Sequence, residues 1–229
     1  MTATLRTHPA RLSELDSGAQ RTGRCRVCAR STPADIPVCF CCRVVAEQLG
    51  LPLVPLVAQV EYRVGDRIHH RLRAYKDDPV LDVRAQCRSH LVDDLSRWLA
   101  VRGRLLDQWI GTWSVVTTVP SSCRPGPAPA ELLVDGVPGL ASRHLRLLVR
   151  GPGSLGHLGA DRSAFMLAPG VDRAGLAGLA VLVFDDTTTT GAAAQSAAAT
   201  LRLAGARVVG ALAIGRALTP DRPLHVAGG

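Results

Sequence analysis

The run Val181-Leu182-Val183-Phe184-Asp185-Asp186-Thr187-Thr188-Thr189-Thr190-Gly191 limits the fold of this chain more than any other segment. An apolar stretch suited to a strand buried on both faces stops at two carboxylates, and four hydroxyls and a glycine follow. Ala192–Ala204 is then an Ala-rich helical stretch ended by Gly205, and Val208–Ile214 is a second apolar run of strand type. With the first strand placed at Ala180–Phe184, residues 180–214 read as a βαβ unit. Such a unit joins parallel strands, and a parallel sheet has both faces covered by helices. The expected fold class is α/β, a mostly parallel sheet flanked by helices.

The remaining segments fit that class. Trp113–Val119 is β-branched and stops at Pro120, as a buried strand would, and Leu51–Tyr62 supplies one or two more strands. Leu81, Leu91, Leu95, Trp98 and Leu99 recur at helical spacing and predict a helix over Val80–Val101. A short helix is expected over Val44–Leu49, a basic helical turn over Ile68–Tyr75, and partly helical structure over 131–150. Residues 120–130 and 150–159 are rich in Pro, Gly and Ser and read as loops. No internal repeat is visible.

The acid-threonine segment carries a specific chemistry. Backbone N–H groups at a helix N-terminus, helped by the hydroxyls of Thr187, Thr188, Thr189 and Thr190, suit a phosphate dianion. Gly191 lets the backbone approach such a ligand without a Cβ. Adjacent carboxylates on Asp185 and Asp186 suit the vicinal hydroxyls of a ribose, or a share in holding Mg2+. In a parallel sheet this is the carboxyl end of a strand, where ligands bind. A nucleoside triphosphatase reading fails, because its phosphate loop needs a Gly-Lys-Ser/Thr sequence and the only lysine, Lys76, lies between Tyr75 and Asp77. The bland alternative is a threonine-rich helix cap beside two solvated acids.

A second signal lies near the N-terminus, where Cys25-x-x-Cys28 and Cys39-x-x-Cys42 are separated by ten residues. Two such pairs fill the four positions of a tetrahedral zinc with thiolates, which makes the metal structural. Cys41 adjoins Cys42 and competes with it for the fourth position. Cys87 and Cys123 are isolated and read as small buried hydrophobes. The expected division is a tail over 1–22, a zinc-ribbon-like module over 23–45, the sheet domain over 46–220 and a tail over 221–229.

The charge narrows the partners. The 229 residues include 27 basic and 19 acidic side chains, giving a net charge of +8, and all but one of the basic residues are arginine. Arginine-rich codon usage accounts for much of this, yet the excess favours anionic partners, either phosphate ligands or a nucleic-acid backbone. Aromatic residues make up only 3%, too few for a base-stacking platform. His69 and His70, beside Arg71 and Arg73, read as a solvated basic face. Residues 1–30 lack the apolar core of a secretion signal, and no apolar run reaches the length of a membrane span, so a cytoplasmic protein without membrane insertion is expected.

Residues 181–191 resemble the 5-phosphoribosyl-1-pyrophosphate (PRPP) motif of type I phosphoribosyltransferases: four apolar residues, two acids, two variable residues and Thr-Thr-Gly. Together with the double Cys-x-x-Cys and the segment Tyr75-Lys76-Asp77-Asp78-Pro79, the chain is similar to the ComF family of phosphoribosyltransferase-like proteins over about residues 25–216. Some members of that family are associated with DNA uptake during competence. The resemblance implies a phosphoribosyltransferase-like fold and Mg2+-dependent PRPP binding. Asp185 and Asp186 would be the catalytic acids at the ribose. Thr187, Thr188, Thr189, Thr190 and Gly191 would bind phosphate with Lys76 and Arg124, and Cys25, Cys28, Cys39 and Cys42 would hold zinc. Pyrophosphate would leave toward Pro120, Ser121, Ser122 and Arg124, and the acceptor would be a nitrogen base or amine. The chain departs from the family pattern at Arg124–Ala130, which lacks the aromatic, Asn and Gln of that segment, and at 150–162, where a Gln-containing loop is replaced by a Gly-rich one. Three roles therefore stand open: a transferase acting on PRPP, a non-catalytic binder of PRPP or a nucleotide, and an accessory protein of DNA uptake that contacts nucleic acid.

Overall fold

A computed structural model describes residues 23–121, 128–156 and 159–218. The tails, Arg124, Cys123 and most of the Pro-rich loop after Pro120 lie outside these residues. Four parallel strands make the central sheet: β1 (Leu56–Tyr62), β2 (Val115–Thr118), β5 (Ala180–Thr188) and β6 (Arg207–Ala217), in the spatial order β1-β6-β5-β2. A separate antiparallel pair, β3 (Leu148–Arg150) and β4 (Phe165–Leu167), forms a small hairpin. The helices are α1 (Phe40–Leu49), α2 (Arg67–Asp77), α3 (Leu81–Ile110), α4 (Pro129–Gly136), α5 (Pro138–Ala141), α6 (Arg173–Leu176) and α7 (Ala192–Leu203).

Residues 181–184 are apolar without alternation because both faces of β5 are covered. Val181 and Val183 join the core that holds α7 and the β3–β4 hairpin, whereas Leu182 and Phe184 join the core under α2, α3 and α4. All four are fully buried. Burying a side chain of this kind is worth about 1.5–3 kcal/mol, so β5 is the strand the rest of the fold is packed around. The Ala-rich composition of α7 follows from the same geometry, since Ala194, Ala197 and Ala198 allow the helix to lie close against the sheet.

The parallel α/β class holds, and several boundaries differ from the sequence reading. β5 runs on to Thr188 rather than ending at Phe184, because β6 is long enough to pair with it throughout: Asp185 opposes Ala213, Thr187 opposes Gly215 and Thr188 opposes Arg216. The two acids and the first two threonines therefore belong to a strand, and the turn is reduced to Thr189, Thr190 and Gly191. Helix α1 begins at Phe40, earlier than Val44, and α3 continues past Val101 to Ile110. Arg150 ends a strand instead of opening a loop. His70 is exposed, His69 is half-buried against Tyr62, and Cys87 packs at the margin of the α3 core. Among the described residues no helix is long and apolar enough to cross a membrane.

One glycine brings α2 close to the site. A Cβ on Gly215 would lie 2.5 Å from Leu72 Cδ1 and 2.6 Å from Tyr62 Cε1, so its absence lets α2 settle directly onto β6. Tyr75 and Lys76 are carried on the last turn of that helix.

Candidate functional site

A cavity of about 520 Å³ opens at the carboxyl ends of β5 and β2. Asp185, Asp186 and Thr187 line it from β5, Lys76 from α2, and Ala193 from the first turn of α7. Val119, Pro120 and Ser121 come from the segment after β2, Pro129 and Ala130 from α4, and Arg150 and Leu155 from β3 and its following loop. Burial of the strands puts these groups together. Each strand stops being apolar where it leaves the core, and polar residues can then sit at the rim.

The two acids do different things. Asp186 is buried, and Tyr75 donates its hydroxyl proton to Asp186 Oδ2 in a short contact. Lys76 Nζ lies 2.5 Å from the same oxygen, and Thr187 Oγ1 donates to Oδ1 at 3.2 Å. Lys76 also reaches Thr187 Oγ1 at 3.5 Å. Asp186 thus ties α2 to β5 through a charge-assisted pair. Asp185 is half-buried at the cavity.

Burial pushes the Asp185 carboxyl up from its ordinary value to about 6, with Lys76 and backbone N–H groups pulling the other way. Asp186 is pushed up to about 7, again by burial, and its hydrogen bonds from Thr187 and the backbone hold the rise back. The Lys76 ion pair acts in the same downward sense. Both folded-state values lie above the unfolded one, so the native protein binds more protons than the unfolded chain between about pH 4 and pH 7, and stability falls as pH rises through that window. The ligand-free protein should therefore melt higher at about pH 5.5 than at about pH 7.5, and Asp185→Asn should shrink that difference. Equal pH profiles for the two proteins in scanning calorimetry would remove Asp185 from the effect.

The turn after β5 places Gly191 in the left-handed region at φ 85°, where an L side chain is strained, and an added Cβ would lie 2.9 Å from Leu56 Cδ2. Thr190 Oγ1 accepts from Ala192 N at 3.3 Å, which steadies the first turn of α7. Thr188 is buried, whereas Thr189 and Thr190 are half-buried. Of the residues expected to bind phosphate, Thr187 and Lys76 share the cavity with the two acids. Thr189, Thr190 and Gly191 form the adjoining turn, and Arg124 lies outside the described residues.

The four cysteines of the two pairs come together, with their sulfurs all within 4.8 Å of one another. Each is buried, and Cys28 Sγ is 3.7 Å from Cys39 Sγ. The first pair sits in a tight turn, in which Ala29 N donates to Cys25 O at 2.8 Å. The second pair departs from the expected knuckle, because Cys39 is the N-cap of α1 and Cys42 lies in its first turn. That helical placement decides between the neighbouring thiols: Cys42 joins the group, and Cys41 turns aside toward Arg30 Nη1 at 4.0 Å. Four thiols at these distances form a group that can hold a metal ion.

This group is joined to the rest of the molecule. Its sulfurs belong to the same apolar core as Val54, Leu56 and α7. Buried Arg216, on β6 opposite Thr188, donates to Cys28 O and to Leu56 O, and pairs with Glu61 at 3.5 Å. Arg30 Nη2 donates to Thr189 O at 3.3 Å, so a residue next to the cysteines touches the threonine turn itself.

Sequence reasoning missed Arg150 as a site residue. Its signal was present only across the chain: Arg150 is the partner of Phe165 in the β3–β4 ladder, and that pairing carries it to the cavity. No protein-family model matches the chain, and no curated protein matches it either.

Proposed function

We propose that the protein is a phosphoribosyltransferase-like protein of the ComF type, which binds PRPP or a related ribose 5-phosphate with Mg2+ and transfers the phosphoribosyl group to a nitrogen acceptor. The observation that carries this reading is the meeting of Asp185, Asp186, Thr187 and Lys76 in one cavity, directly before the Thr189–Gly191 turn and the start of α7. Asp185 accepts hydrogen bonds from the vicinal ribose hydroxyls, and Asp186, whose oxygens are taken by Tyr75, Lys76 and Thr187, holds α2 against the strand beside it. Because Lys76 is paired directly with Asp186, Asp185 is the acid left to supply negative charge at the ribose. That charge favours the positive charge developing at the anomeric carbon as its bond to pyrophosphate breaks. The bond to the acceptor nitrogen forms as pyrophosphate leaves, and the nitrogen gives up its proton to the departing pyrophosphate. The 5-phosphate is held by the N–H groups and hydroxyls of the turn at the head of α7. Asp185 would be the acid to help hold Mg2+ bound with PRPP, and the ion would supply charge neutralisation at the pyrophosphate.

The four cysteines are assigned to structural zinc, since four thiolates leave no position open for substrate. Calorimetric titration of the metal-loaded protein with PRPP, with and without Mg2+, tests the reading. Saturable binding that needs Mg2+ is expected, followed by pyrophosphate release once an acceptor is supplied. Absence of any binding at millimolar PRPP would refute it.

A further inference from the structure

Thr189 is the first residue of the turn after β5, and its carbonyl lies beyond the β5–β6 ladder, which ends where Thr188 opposes Arg216. Arg30 supplies the missing donor. Its Nη2 donates to Thr189 O at 3.3 Å and reaches Ala217 O, at the end of β6, at 3.5 Å. The guanidinium therefore bridges the two strands where they part, and its planar fork has donors for both carbonyls. Arg30 is itself fixed by the thiol segment: its carbonyl accepts from Cys25 N at 2.8 Å, and its Nη1 lies 4.0 Å from Cys41 Sγ. Two further links join the same segment to the same turn. Val27 O accepts from Leu56 N at 2.8 Å, and Leu56 Cδ2 is the atom that a Cβ on Gly191 would meet. Arg216, opposite Thr188, donates to Cys28 O. A peptide unit is planar and trans, so its carbonyl and the N–H of the next residue point in opposite directions. A guanidinium that holds Thr189 O thereby aims the Thr190 N–H to the side of the turn away from the thiol segment.

We propose that Arg30 is a positioning residue, which fixes the Thr189–Thr190 peptide plane from outside the cavity and so presets the turn that takes up the 5-phosphate. The identity of the anion rests on the phosphoribosyl reading; the hold on the peptide does not. Arg30 does not line the cavity, and its action on a ligand passes through the backbone of the turn. An unheld peptide plane rotates about its flanking single bonds. A turn that is in the receiving orientation for only a fraction of the time binds more weakly by that fraction.

The experiment compares the full, zinc-loaded chain with Arg30→Met and Arg30→Lys. Methionine keeps the apolar stem and removes every donor, whereas lysine keeps the charge and one donor group. Zinc content and melting curves check that both variants are folded. Amide hydrogen exchange is followed without ligand, and inorganic phosphate and ribose 5-phosphate are then titrated. In Arg30→Met the amides of residues 190–192 should exchange about 10-fold faster, and both probes should bind about 10-fold more weakly, as expected if the ordered turn falls to a tenth of the population. Arg30→Lys should lie between. Exchange at Val181–Phe184, and at Ala29 in the thiol segment, should be unchanged. The loss of affinity should persist at about 0.5 M salt, where a field acting at a distance is screened. A loss that disappears in salt would overturn the proposal, as would unchanged affinity or unchanged exchange at residues 190–192. Faster exchange at Ala29, or loss of zinc, would also overturn it by assigning Arg30 to the fold of the thiol segment. A wild-type protein that binds neither probe would refute the phosphoribosyl reading. The exchange comparison alone would then decide whether Arg30 sets the peptide plane.

Discussion

Replacing Cys42 with serine should abolish zinc binding at the four-thiol group and cost the protein most of its thermal stability. A structural zinc contributes about 10–16 kcal/mol of apparent binding free energy in small zinc modules, as much as the whole net stability of an ordinary domain, about 5–15 kcal/mol. In this chain the loss would not stay local. The sulfurs are part of the core that includes Val54, Leu56, Ala197 and Leu201, and Arg216 is anchored on the Cys28 carbonyl. Elemental analysis should find about one zinc per wild-type chain and less in Cys42→Ser, and the variant should melt well below the wild type. Chelation of the wild-type protein should reproduce the variant's melting curve. Cys41→Ser is the matched control and should keep both metal and stability, since its sulfur is outside the group. A metal-free wild type that melts like Cys42→Ser would eliminate zinc as a stabiliser.

The second large effect separates the two adjacent acids. Asp185→Asn should fold with no loss of stability, because it relieves the cost of a desolvated charge and no side chain of the core depends on the residue. It should nevertheless bind PRPP about 100-fold more weakly, through loss of two hydrogen bonds to a charged acceptor at about 1.5–3 kcal/mol each, part of which the asparagine retains. Asp186→Ala should behave in the opposite way. It removes the acceptor of the Tyr75 hydroxyl and the partner of Lys76 at once, and so releases the end of α2. Loss of the ion pair of a partly buried ammonium together with the acceptor of a buried hydroxyl costs about 2–4 kcal/mol, less than for a fully buried pair because the Lys76 side chain keeps 22% of its exposure. Denaturant midpoints and PRPP titrations on both variants read the split. Equal destabilisation by the two substitutions would show that both acids serve the fold.

The parts of this molecule that are legible in the sequence are those whose pattern is local. A parallel strand covered on both faces needs four apolar residues in a row, and Val181–Phe184 displays them. The helix after Gly191 and the strand after Gly205 follow from adjacent residues in the same way. What the sequence hid depends on partners far along the chain. Nothing near Asp185 shows that the strand continues through two acids and two threonines; that follows from the length of β6, about thirty residues later. The reading of Lys76 as a site residue came from resemblance alone. Its distance to Asp186 is set by the packing of Leu72 and Tyr62 over Gly215. Arg150 was hidden in what looked like the edge of a glycine-rich loop, and only its pairing with Phe165 brings it to the cavity. The choice between Cys41 and Cys42 was open for a similar reason, since spacing alone does not reveal that a helix begins at Phe40.

The contacts of Arg30, Val45 and Leu49 bear on how short this chain can be made. Every residue that lines the cavity lies after position 45, so a version trimmed to the sheet would retain the complete lining. It would lose the guanidinium that holds the Thr189 carbonyl. It would also strip Val45 from the side of α7, where Val45 and Leu49 pack against Ala192 and Ala199. Ala192 is the first residue of that helix, one position beyond the Thr189–Gly191 turn. The smallest unit that keeps the cavity in its present shape therefore begins before the first cysteine pair, and the segment carrying the four thiols is a wall of the same room.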